Sequence, residues 1–205
     1  MAEVDRAKKR VPDKVLTGVG IVLAVYHLIW VSTLFPRLGM YLQVQQHRAI
    51  SLGLFLLLTF LTRPAIAGRR ESGLPWYDML LILASILPTG YYALFYELVQ
   101  EHWIQVSPTP AEIVFAFLLV AAILEAGRRV VGWTLPVIVV FFVIHALFTE
   151  HFPGILFGRA PSLARLTGDI YLSLDGIFGY PIWVAGTVVI TFILFSQLLM
   201  ESGAG

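Results

Sequence analysis

The 205-residue chain has no cysteine, which excludes a disulfide framework, thiolate catalysis and cysteine metal sites and leaves the redox compartment open. Charge is scarce too: Asp, Glu, Lys and Arg make up 13% of residues, against about a quarter in soluble proteins. With 14 basic and 13 acidic residues the net charge is +1, so no concentrated positive surface is available for phosphate backbones and nucleic acid is not an expected partner. No Gly-rich phosphate cradle and no nucleophile-base constellation is present, so an enzymatic role has no residues behind it. Internal repeats and low-complexity linkers are also lacking, and the sequence reads as one membrane domain.

What is plentiful is apolar surface. Hydrophobic residues form 58% of the chain and the mean hydropathy is +0.82, more than a soluble core can hide. A bilayer core of ~30 Å takes about 20 helical residues. Six apolar runs approach that size: Val15 to Phe35, His47 to Leu61, Met79 to Val99, Ala111 to Ala126, Val130 to Phe148 and Ile182 to Met200, the second and fourth being short. The runs are continuous rather than alternating, which favours helices over a β-barrel. The expected fold is therefore all-α: a polytopic membrane protein of about six transmembrane helices. The first run is too long for a secretory signal and no Ala-x-Ala-like site closes it, so it is read as a retained span.

Orientation follows the basic residues of short loops. A cytoplasmic N-terminus puts Arg6, Lys8, Lys9, Arg10, Lys14, Arg63, Arg69, Arg70, Arg128 and Arg129 inside, and Arg37, Arg48, Arg159 and Arg165 outside. Both ends are then expected in the cytoplasm. Trp76 and Tyr77 on one side of the third run, and Tyr91, Tyr92, Tyr96 and Trp103 toward the other, fit interfacial belts. Between the last two runs, Leu163, Leu166, Ile170, Leu174 and Ile177 recur at helical spacing behind a Ser162 cap, which predicts one amphipathic helix lying either at the membrane interface or against the bundle, with packing on neighbouring helices favoured because its polar face carries one basic residue.

Few groups at membrane depth invite a functional reading. His27 and His145 have no carboxylate or second histidine at metal-ligand spacing, and neutral interhelical hydrogen bonds are expected of them ahead of the alternative, a proton relay. Glu125 precedes Arg128 and Arg129 by three and four residues, on one helix face, and an ion pair is expected there. Asp78 complements a helix N-terminus and could meet the loop arginines. Pro88-Thr89-Gly90 interrupts the third run, where a kink is expected rather than a broken substrate-lining helix. Thr187, Thr191 and Ser196 are expected to make ordinary interhelical bonds. Gly154 and Gly158 have small-xxx-small spacing but fall in a loop.

Several stretches resemble the fused permeases of tripartite ATP-independent periplasmic (TRAP) transporters. The most specific is Leu124-Glu125-Ala126-Gly127-Arg128-Arg129-Val130-Val131-Gly132-Trp133-Thr134-Leu135-Pro136, similar to that family's LEA-x-RR-x-x-GW-x-LP junction. Phe35-Pro36, Trp76-Tyr77-Asp78, Pro108-Thr109-Pro110, Gly176-Ile177-Phe178-Gly179-Tyr180-Pro181 and the closing Glu201-Ser202-Gly203-Ala204-Gly205 support it. The resemblance implies a basic cytoplasmic segment over 1–14, a four-helix small-subunit-like region over 15–126 and the start of a large-subunit-like region over 127–205. It also implies a bacterial inner membrane location, surrounding lipid, and sodium-driven import of organic acids or related solutes delivered by a periplasmic solute-binding protein. Asp78, Glu125, Arg128, Arg129, Trp133 and Pro136 become structural or interface candidates. No catalytic, cofactor, substrate or sodium residue is assigned, because the family's substrate- and sodium-holding hairpins lie in a large-subunit permease domain beyond this stretch. The chain is thus expected to be the front of a longer permease, a scaffold not competent for transport alone. The alternative is a free-standing scaffold subunit that docks a separate large permease.

Overall fold

The computed structural model describes residues 11–32, 34–37, 39–66 and 73–203. The basic residues Arg6, Lys8, Lys9, Arg10, Arg69 and Arg70, and the final Ala204 and Gly205, lie outside them. The described residues are helical, with no strand among them.

α1 (Asp13–Val31) begins behind Pro12 with an acidic first turn, a combination that suits the positive helix N-terminus. A one-turn α2 (Leu34–Arg37) leads to α3 (Val44–Thr62), whose Gln43 and Gln46 form a reciprocal cap. This cap extends the second apolar run to a 19-residue helix, longer than the hydrophobic residues alone suggest. α4 (Trp76–Leu94) runs on through Pro88, with Thr89 donating to the Ser85 carbonyl at 2.8 Å. It stops at Phe95, and α5 (Tyr96–Ile104) turns away as a separate short helix.

α6 (Pro110–Val130) opens on a Thr109–Glu112 capping box with Pro110 in its first turn and closes on Arg128 and Arg129, opposite charges at the two ends that both suit the helix dipole. Gly132, at φ +100°, turns the chain into α7 (Thr134–Leu147). After two single-turn 3₁₀ segments come α8 (Leu163–Thr167) and a π-helical turn over Gly168–Leu172. The final rod, Tyr180–Glu201, comprises α9 (Tyr180–Val184), a second π-helical turn over Ala185–Val189, and α10 (Ile190–Glu201).

Five of these elements are long and apolar enough to cross a membrane: α1, α3, α4, α6 and the Tyr180–Glu201 rod. The fifth apolar run differs from expectation. α7 has 14 residues, about 21 Å at the usual helical rise and short of a full bilayer core.

The amphipathic segment differs as well. It does not run as one helix to Ile177 but ends at Ser173, whose hydroxyl donates to Asp169 and accepts from the Gly176 amide. The chain then folds back so tightly that Ile177 N–H reaches the Ile170 carbonyl at 2.8 Å. Only glycine fits at 176, since a Cβ there would collide with the Ile170 and Asp169 carbonyls. The expected packing on the bundle does hold: Tyr171, Leu172 and Phe178 are fully buried in the common core with Tyr92, Val99, Phe60 and Leu119.

α3 is the central helix and packs on α4, α6, α1 and α9. Its closest approach is to α4 at Gly53, where an added Cβ would lie 2.7 Å from Thr89 Oγ1. By contrast α10 buries no residue and α7 only Pro136. Val137, Phe141, Phe142, Phe192 and Leu198 are all more than half exposed, and a surface of that kind belongs in lipid. The chain is a membrane protein.

Candidate functional site

The two ends of the bundle carry different polar structures. One end gathers the C-termini of α3 and α6 with the N-termini of α4 and α7. Glu125 lies one helical turn before Arg128 and Arg129, so all three share a face. Its carboxylate accepts from Arg128 through Nε and an Nη at 2.7 Å each, and from Arg129 Nε at 2.7 Å. Arg129 also reaches Asp78 on α4, at 2.6 Å, and both of these side chains are wholly buried.

Each arginine has further partners that tie in the segment after α3. Arg128 donates to the Ala65 carbonyl at 2.8 Å and Arg129 to the Arg63 carbonyl at 3.0 Å. Arg129 lies 5.0 Å from the centre of the Phe60 ring, and Arg128 lies 5.3 Å from that of Trp133, both cation–π distances. Pro136 is buried, and together with Leu135 it packs against Gly127. The structure thus brings all six candidates, Asp78, Glu125, Arg128, Arg129, Trp133 and Pro136, into one clamp. A charge at membrane depth is costly unless paired, and here each guanidinium has a carboxylate, a carbonyl and a ring.

At the opposite end, the fully buried Glu112 accepts from the Thr109 amide and hydroxyl at 2.7 and 2.9 Å, from Tyr91 at 3.1 Å and from His102 Nδ1 at 2.8 Å. It joins α4, α5 and α6. Sequence reasoning did not single out Glu112, although Thr109-Pro110-Ala111-Glu112 has the spacing of a capping box with proline at the first helical position.

A third cluster lies between α1, α3 and the Ala185–Val189 turn. His27 Nδ1 donates to the Leu23 carbonyl at 2.7 Å, and Nε2 meets Ser51 Oγ on α3 at 3.1 Å. The interhelical hydrogen bond expected of His27 is therefore present. Tyr26 bonds His47 Nδ1 at 3.0 Å, and Trp30 stacks on the His47 ring at 4.0 Å. The rings of His27 and His47 are 5.5 Å apart. No local spacing signals this pair, because its members come from different helices. Gly186 makes room for it: an added Cβ would sit 3.0 Å from Ser51 Oγ and 3.5 Å from His47 Nε2. His145 is elsewhere, half-buried, and its bond at 3.2 Å goes to the Leu156 carbonyl in the connection after α7 rather than to another membrane-crossing helix.

Outside the spans, burial first, then the nearby Tyr91, Glu112 and Tyr92, pushes the Tyr171 hydroxyl pKa upward. The hydroxyl stays protonated and donates to the Pro88 carbonyl at 2.7 Å. Among the described residues, no group of three or more His, Cys, Asp or Glu is arranged to hold a metal ion.

These features define an all-helical membrane protein with a charge clamp at one end of its bundle. No family model, curated protein or solved structure matches the chain.

Proposed function

We propose that the chain is the N-terminal membrane part of a TRAP-type secondary transporter. In this reading it lies in a bacterial inner membrane with its clamp end in the cytoplasm, and α7 completes a sixth crossing. Its role is that of a scaffold: the four-helix region over 15–126 holds the start of the large-subunit-like region over 127–205 in place. The transported solute is an organic acid or related solute, delivered by a periplasmic solute-binding protein and driven by sodium. Sodium and solute are held by the large-subunit permease domain, and no residue of this chain is given that role.

One observation carries the reading. The stretch that most resembles the family, Leu124 to Pro136, supplies Glu125, Arg128, Arg129, Trp133 and Pro136 to the clamp, with Asp78 from the similar Trp76-Tyr77-Asp78 stretch. Chemistry of this kind fixes helices relative to one another and offers no open, convergent polar pocket for a solute. That is what a scaffold requires.

The test is uptake by proteoliposomes holding this chain with its large-subunit permease domain and binding protein, under an imposed sodium gradient. The expected result is organic-acid accumulation that collapses when residues 15–126 are deleted. Uptake unchanged by that deletion, or independent of sodium, would contradict the proposal.

A further inference from the structure

The cluster that joins α1 to the bundle contains two imidazoles and no acid among the described residues. Leu23 and His27 are the only buried residues of α1, so one of the two side chains that seat this helix is polar. His27 must carry its proton on Nδ1, because a carbonyl can only accept, and its bare Nε2 then accepts a hydrogen bond from the Ser51 hydroxyl. His47 is equally buried and shares a hydrogen bond with Tyr26. Its Nε2 is buried too and adjoins Gly186.

A second proton on either ring disrupts this arrangement. On His27 it would occupy Nε2 and expel the Ser51 donor; on His47 it would make both ring nitrogens donors, with a hydrogen-bond partner, Tyr26, at Nδ1 and none at the buried Nε2. The titratable and charged groups facing the pair are Tyr26 from α1 and Arg48 from α3, and the Ala185–Val189 turn adds none. An imidazolium here would therefore sit in a low-dielectric site beside a neighbouring arginine with no counter-ion.

A cavity of about 400 Å³, lined by Trp30, Phe35, Tyr41, Trp183 and Thr187, opens at the Glu112 end. Trp30 stacks flat on His47, with 3° between the rings, and is the wall between cavity and imidazole.

We propose that His27 and His47 form a proton-binding latch. When neutral, the pair holds the Trp30 end of α1 against α3 and the Ala185–Val189 turn. When protonated, it releases that end and the cavity hydrates the rings. Docking is thus present at high pH and lost as pH falls, since the proton is bound more readily in the released state. The latch does not rest on the transport reading.

The absence of cysteine makes the test clean. Cysteines introduced at the exposed positions Val31 on α1 and Tyr180 on α9 are spin-labelled in the full chain in lipid nanodiscs. Their separation is measured by pulsed EPR at pH 8 and pH 5, either side of the ordinary imidazole pKa of about 6.5. The expected result is a second, longer separation at pH 5 that disappears in the His27→Gln/His47→Gln background. An unchanged distribution between the two pH values would overturn the latch, as would a shift that persists in the double variant. If size-exclusion chromatography shows the double variant misfolded, the two single variants take its place. A shift undiminished in both would equally overturn the latch.

Discussion

Arg129 and Asp78 meet at 2.6 Å between α6 and α4 with no exposed surface on either side chain. The pair is worth less for the attraction itself than for the damage done when one member is missing. Arg129→Ala leaves a buried carboxylate without its guanidinium and is expected to cost about 3–5 kcal/mol. Replacing both by apolar residues, Arg129→Met with Asp78→Leu, is expected to recover part of that loss. Thermal unfolding in detergent of the single and double variants checks both; a double variant no better than Arg129→Ala would contradict the pairing.

Glu112 serves as cap and as acceptor for Tyr91 and His102. Glu112→Ala removes the reciprocal cap bond from the Thr109 amide and the acceptor of three further donors, the Thr109 hydroxyl, Tyr91 and His102, for an expected loss of about 1–3 kcal/mol. Glu112→Gln keeps an acceptor oxygen and is expected to lose less. The same unfolding measurement ranks the two, and the reverse order would count against the carboxylate network.

At Gly53 the Thr89 side chain of α4 packs so closely on α3 that an added Cβ would lie 2.7 Å from Thr89 Oγ1. Gly53→Ala is expected to destabilise by about 1–3 kcal/mol through overpacking. Thr89→Ala removes the obstructing hydroxyl, so the double variant should be more stable than the sum of the single losses predicts. Additive losses would mean the two residues do not touch.

Phe178 lies 4.1 Å from the Tyr92 ring, and its carbonyl accepts from Arg48 at 3.1 Å. It pins the loop before α9 into the core. Phe178→Ala should cost about 3–5 kcal/mol, seen as early proteolysis between Ser173 and Tyr180. Protease resistance equal to the unaltered chain would show that the loop is held by other contacts.

How much of this was legible in the sequence depends on the distance over which each signal acts. Apolar run length placed α1, α3, α4, α6 and the last rod, because lipid and helix geometry set that length. The Glu125 pairing was legible because three- and four-residue spacing is local. That Asp78 chooses Arg129 was only partly so, since the sequence offered several loop arginines and helix packing makes the selection. Packing alone creates the His27–His47 pair, with nothing near either residue to announce it. The amphipathic helix was read too long because a period of apolar residues continues past Ser173, where the side chain captures the backbone and Gly176 lets the chain fold back.

The proposed orientation, a membrane-spanning bundle with its clamp end toward the cytoplasm, is tested most directly by single-cysteine labelling in intact cells. The absence of native cysteine makes each introduced thiol unique. With a membrane-impermeant maleimide, cysteines at Tyr41 and Gln105 are expected to label from outside, and those at Gly73 and Ser202 only after lysis. Outside labelling at Gly73 would reverse the orientation. Labelling at Ser202 but not Gly73 would mean that α7 does not cross and that the chain has five spans.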